Sequence, residues 1–237
     1  MSAVRKAALD TGIVISNGTD ADHDIDFAAG TEVLYNGSTY KYFTGTALAK
    51  QIDANWTEGD AAGGFPSGLS LTADTGYYLF MIGKADGTVD YGFDTSLTAA
   101  NLLSDATGYT YYKAIWWVIT DASSNIQAFT QVNGDTCRYT AQITDVEDST
   151  GTAGTNQTGT ISAPPISEVL INMYANNADT SGVTSYLNDL VVGYDTHYVQ
   201  CSTLSLVDSN AQLRYKMISS AAYTQIALVT QAWRKKW

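Results

Sequence analysis

Residues 108–129, GYTYYKAIWWVITDASSNIQAF, constrain the fold more than any other part of this chain. The segment alternates as a β-strand does, but both sets of positions are apolar or aromatic: Tyr109, Tyr111, Ile115, Trp117 and Ile119 on one side, Tyr112, Ala114, Trp116 and Val118 on the other. Successive side chains of a strand point to opposite faces of its sheet, so a strand with one wet face should not read this way. Tyr109–Ile119 is therefore expected near the middle of a sheet, with both faces covered by a second layer, a neighbouring subunit or a ligand such as a sugar.

The rest of the chain supports a β-rich reading. Tyr (16) and Trp (5) are frequent, and Ser, Thr, Asn, Asp and Gly fill the intervals between short extended runs. With 45% hydrophobic and 15% charged residues in 237, the chain can bury a core. The expected fold is all-β, a β-sandwich or jelly-roll-like arrangement with one or two short helices and long Gly/Ser/Thr-rich loops. A basic arm is expected over residues 1–10 and a single domain over 11–237, with a subdivision near 148–163.

Asn17-Gly18 and Asn36-Gly37 lie between alternating segments and predict tight hairpins, because a type I′ turn needs positive φ at both central residues. In GTALAKQIDANWTE (45–58), Leu48, Ile52 and Trp56 recur every four residues, which predicts a short amphipathic helix. GDAAGGFPSG (59–68) reads as a flexible loop, SLTAANLL (96–103) as a helical turn, and residues 148–160 as a long mobile loop.

The formal net charge is −12, and five of the twelve cations sit at the ends: Arg5 and Lys6, then Arg234, Lys235 and Lys236. The body between them is more acidic still and repels phosphate backbones, so nucleic acid is not the expected partner. The AWRKKW terminus places these last cations between Trp233 and Trp237 and is expected to dock on an acidic surface of a neighbour or of its own fold. Asp10 interrupts any leader-like apolar run, and Ala114–Ile119 is too short to span a bilayer. Synthesis in a cytoplasm, with no membrane partner, is the expectation. Cys137 and Cys201 are either two buried thiols or one disulfide.

Candidate chemistry is sparse. An EF-hand counted from Asp20 through Asp22, Asp24 and Asp26 would need Gly where Ile25 stands and Glu where Thr31 stands. Asp86, Asp90 and Asp94 share even spacing, but Asp86-Gly87 reads as a turn. His23 and His197 accompany no nucleophile elbow or zinc-binding helix motif. No catalytic residue, cofactor or metal is expected. Asn17, Asn36, Asn55 and Asn156 begin glycosylation triplets that a Ser/Thr-rich chain produces by chance. The candidates for packing or interface roles are Tyr109, Tyr111, Trp116, Trp117, Trp233, Arg234, Lys235, Lys236 and Trp237.

The order NGTDADHDIDFAAG, LAKQIDANW, GDAAGG, GYYLFMI, DGTVDYGFDTS, GYTYYKAIWWVITDASSNIQAF and NGDTCRYT resembles a β-structured domain of tail and other virion structural proteins of tailed bacteriophages. The likeness covers residues 11 to 140 best. Lys113 stands where that family places the first of a basic pair after its GY, whereas Ala114, Trp116 and Trp117 make this copy more apolar. The resemblance implies a non-enzymatic virion component, a tail-fibre or tail-appendage protein that forms a homo-oligomer, a trimer, and contacts other virion proteins. A capsid decoration or head-fibre protein is one alternative, and a module that binds a host surface glycan through its aromatic rings is another.

Overall fold

The computed structural model describes residues 12–148, 154–177, 183–188, 190–195, 198–218 and 223–236. The chain is all-β as expected, 58% strand, and one short helix is found among the described residues. It divides into two compact units, Met1–Gly134 and Asp135–Trp237. The basic arm of residues 1–10 lies outside the described residues, as do His197, Trp237 and residues 149–153 of the Ser/Thr/Gly-rich segment.

In the first unit the strands are β1 (Ile15–Asn17), β2 (Asp24–Phe27), β3 (Gly30–Tyr35), β4 (Tyr40–Gly45), β5 (Leu48–Asn55), β6 (Ala62–Phe65), β7 (Gly76–Lys84), β8 (Val89–Asp94), β9 (Tyr109–Ile119) and β10 (Phe129–Val132), with helix α1 (Ala100–Asp105) between β8 and β9. One sheet runs β1-β2-β5-β6 and the other β4-β3-β9-β7-β8. The second sheet is buried on both faces at its centre: every residue of β7 from Tyr77 to Gly83 is buried. Across one layer of this core Phe27 of β2 stacks on Tyr91 of β8 with centroids 4.3 Å apart, and Phe65 of β6 meets the ring of Tyr77 at 5.4 Å.

Strand β9 is central, as its two-faced apolar pattern requires. Ile115, Trp116, Trp117 and Val118 are all buried, Trp116 completely. Trp116 packs against Phe129 of β10 (6.1 Å between centroids), whereas Trp117 lies over the backbone of Gly76, where a Cβ would stand 2.2 Å from the indole. A bulge between the Leu79–Trp116 and Phe80–Ala114 pairs resets the register in the middle of β9.

The helix expected over 45–58 is instead strand β5, antiparallel to β2 and parallel to β6. A spacing of four residues satisfies both the helical and the strand period, so Leu48, Ile52 and Trp56 could not distinguish them. The position between, Lys50, looks like a polar interruption but is fully buried on the same face as Ile52. The loop expected over 59–68 contains strand β6. Its glycines serve close approach rather than freedom: a Cβ on Gly63 would meet the Asn55 carbonyl oxygen at 2.0 Å, and one on Gly64 the Phe93 ring at 2.8 Å.

The helical turn at 96–103 is present as α1. Neither Asn17-Gly18 nor Asn36-Gly37 forms a two-residue turn. At the second, only Gly37 takes positive φ (88°); the Asn36 N–H donates to the Thr39 carbonyl (3.2 Å), and Asn36 Oδ1 accepts the N–H groups of Ser38 (3.0 Å) and Thr39 (2.7 Å). Positive φ at both residues occurs instead at Asn133 and Gly134.

The second unit holds β11 (Thr136–Asp148), β12 (Gln157–Thr160), β13 (Glu168–Asn177), β14 (Val183–Leu187), β15 (Leu190–Asp195), β16 (Tyr198–Leu206), β17 (Gln212–Ile218) and β18 (Tyr223–Arg234). Here β11, β18, β13 and β16 pair in that order, and β12-β17-β14-β15 form the other sheet. The end of the segment expected to be a loop, Gln157–Thr160, is thus a strand paired with β17. Gly159 lets it approach β11, since a Cβ there would lie 2.4 Å from Val146.

Cys137 on β11 is opposite Trp233 of β18, and Cys201 on β16 is opposite Met173 of β13. Two strands intervene, so the backbones are separated by roughly 14 Å at ordinary strand spacing, too far for a disulfide. Cys137 is a free, buried thiol whose pKa is pushed far up by burial. We expect it to resist thiol reagents in the folded protein, and Cys137 and Cys201 both to label in denaturant without any reductant. Labelling that required a reductant would contradict this topology.

Candidate interaction surfaces and a buried lysine–aspartate centre

The residues expected to share packing or interface roles fall in both units. Tyr109 is buried, its ring edge-on to Trp56 at 5.6 Å with the Lys84 ammonium 4.6 Å from its centroid, and burial pushes its hydroxyl pKa up. Tyr111 is half-buried, tilted against Phe43 at 5.2 Å, with its hydroxyl 3.2 Å from that of Thr39. Trp116 and Trp117 belong to the core of the first unit and Trp233 to that of the second.

The terminal cations dock on their own unit. Arg234 reaches Glu168 at 3.0 Å, Lys236 reaches the same carboxylate oxygen at 3.5 Å, and the Lys235 N–H donates to the Asp135 carbonyl at 2.8 Å. β13 brings Glu168 directly opposite Arg234 in the register. Both cations are about two-fifths exposed, so these pairs add little stability.

Open surface is found elsewhere. On β4, Tyr40 and Tyr42 are 74% and 63% exposed, and Tyr40 stacks on Tyr35 of β3 at 4.5 Å. Among the described residues β4 pairs only with β3. On β16, Leu204 and Leu206 are 57% and 60% exposed, beside the half-buried Leu170 of β13. The sequence carries this signal as period-two pairs, Tyr40/Tyr42 and Leu204/Leu206, but nothing in the pattern alone says which side is wet.

A polar centre that the sequence reading missed lies inside the first unit. Lys50 Nζ is 2.9 Å from Asp90 Oδ1 and donates to the Thr57 carbonyl at 2.7 Å, with the Trp56 ring 5.4 Å away. The side chains of Lys50 and Asp90 are 0% and 1% exposed. Burial draws the Lys50 pKa below the usual lysine range, and the Asp90 carboxylate opposes that shift. Asp90 also accepts the N–H groups of Gly59 (2.9 Å) and Tyr91 (2.6 Å). Beside it, burial and the Asp90 and Glu32 charges push the Tyr91 hydroxyl up to about 12. A second pair, Lys113–Glu32 at 2.5 Å, differs in that Lys113 is one-third exposed.

Asp86, Asp94 and Asp20 each accept backbone N–H groups of nearby residues. Asp86 Oδ1 accepts the Thr88 N–H in the β7–β8 turn, as its turn reading requires. Asp94, fully buried, accepts the backbone N–H groups of Ser96, Asn101 and Leu102 and the Asn101 carboxamide. The Asp20 carbonyl accepts the N–H groups of His23 and Asp24, while its carboxylate lies 3.2 Å from the His23 ring and holds the imidazole pKa above its ordinary value. Among the described residues no three His, Cys, Asp or Glu side chains converge as metal ligands. No protein-family model, curated protein or solved structure matches this chain.

Proposed function

We propose that this chain is a non-enzymatic structural component of a tailed-phage virion, a tail-fibre or tail-appendage protein that works through protein contacts and self-associates as a trimer. The observation that carries the contact role is the pair of outward apolar strand faces, Tyr40 and Tyr42 on β4 and Leu204 and Leu206 on β16, each more than half exposed. Exposed large apolar side chains on strands with one ladder partner are favourable places for another chain to pack. The virion setting draws on the resemblance in residues 11–140. A capsid decoration or head-fibre role would use the same surfaces at another place on the particle.

The stacked Tyr35–Tyr40 pair beside Tyr42 favours the second reading, recognition of a host glycan, because a ring face open to solvent can stack on a sugar. Trp116 and Trp117 cannot serve in that role while buried. Mass spectrometry of purified particles of the phage that encodes the chain tests the main reading. Stoichiometric peptides of this protein in the particle are expected, and their absence from intact particles would overturn the assignment.

A further inference from the structure

We propose that Lys50 and Asp90 condense to an intramolecular amide, a covalent cross-link between β5 and β8. Three observations and one general argument lead there, none of which depends on the virion reading. The amine nitrogen and the carboxylate are in contact, at 2.9 Å, and both are closed off from solvent. The Thr57 carbonyl accepts a second N–H of Lys50 and so fixes the direction of approach. The Gly59 N–H donates to Oδ2, the carboxylate oxygen that does not face the amine, while the Tyr91 N–H donates to Oδ1. Finally, a fully buried ion pair retains a large desolvation cost, which a neutral amide relieves.

The chemistry balances within the pair. One proton passes from the Lys50 ammonium to Oδ1, giving a neutral amine and a neutral acid, the form that a dry environment favours. The Nζ lone pair adds to Cγ, and the negative charge that develops on Oδ2 is met by the Gly59 N–H, an oxyanion donor already in place. As the tetrahedral carbon collapses, the C–Oδ1 bond breaks and Oδ1 takes a second proton from nitrogen and leaves as water. The remaining N–H is that of the amide. No oxidant, reductant or cofactor enters, and holding the reactants together in one geometry supplies the advantage that an intermolecular condensation lacks.

The neighbouring Lys113–Glu32 pair is an internal comparison. Its lysine is one-third exposed, so the pair is open to water, and it is expected to remain an ion pair. The cross-link would fasten the β1-β2-β5-β6 sheet to the β4-β3-β9-β7-β8 sheet and resist their separation by force or heat.

The test is the intact mass of the full chain after denaturation, followed by proteolytic mapping. The expected result is a chain lighter than its sequence by one water, with the peptide containing Lys50 joined to the peptide containing Asp90. Lys50→Arg and Asp90→Ala should each show the full mass of their sequences. If either variant fails to fold, the wild-type map alone decides. An unmodified wild-type mass overturns the proposal, and so does a loss of water without the joined peptides, which is what dehydration within one aspartyl residue would give.

Discussion

Trp116→Ala is expected to cost about 3–5 kcal/mol of folding stability, the range for truncating a large aromatic side chain in a packed core. The indole is fully buried on the central strand of a sheet covered on both sides, and it packs on Phe129 from β10. β9 is paired with β7 at this residue, through Leu79–Trp116, and its register is offset by a bulge next to it. Urea unfolding followed by tryptophan fluorescence and by circular dichroism measures the loss. A variant with unchanged stability that no longer bound host cells would move Trp116 from the core to a receptor site. Successive strand residues face opposite sides, so Trp116 and Trp117 have different neighbours, and Trp117→Ala should be destabilising through a separate contact, the one over Gly76.

Asp94→Ala should be comparably severe for a different reason. Its buried carboxylate accepts four hydrogen bonds, and two of them, from the Asn101 and Leu102 N–H groups, satisfy the first turn of α1. The residue at the helix start, Ala99, has no side chain that can cap, so Asp94 acts from the end of β8. Alanine would strand these donors, at about 1–3 kcal/mol for each one left buried and unpaired. Asp94→Asn keeps one acceptor oxygen and should fall between wild type and alanine. The same unfolding measurement checks the order. Equal stability of Asp94→Ala and wild type would mean that α1 is capped by some other group.

The all-β class and the central position of β9 were legible because they rest on period and composition, which burial enforces at every position of a strand. The helical turn of α1 was legible as a short apolar cluster, but its cap was not, because Asp94 acts across a loop. Strand β5 was misread for the reason that makes the buried centre hard to find. Lys50 counts as polar in any pattern, and its contacts with Asp90, forty residues away, and with the Thr57 carbonyl make its burial tolerable. β6 was missed because Gly63 and Gly64 look like a flexible loop until the Asn55 carbonyl and the Phe93 ring are placed against them. Among the candidate residues, Tyr109, Trp116, Trp117 and Trp233 are buried and Tyr111 is half-buried, whereas Trp237 lies outside the described residues. The surfaces left open, Tyr40/Tyr42 and Leu204/Leu206, depend on which strands acquire a second partner, a property of topology that no local pattern contains.

The central claim is that outward strand faces hold copies of this chain together, and multi-angle light scattering on the isolated full-length protein at micromolar concentration tests it most directly. Wild type is predicted to run as a trimer, and a variant carrying Tyr40→Ser, Tyr42→Ser, Leu204→Ser and Leu206→Ser as a folded monomer with an unchanged circular dichroism spectrum. These four side chains contribute little to either core, so the substitutions should spare the fold. A monomeric wild type, or a trimer that survives all four substitutions, would contradict the account.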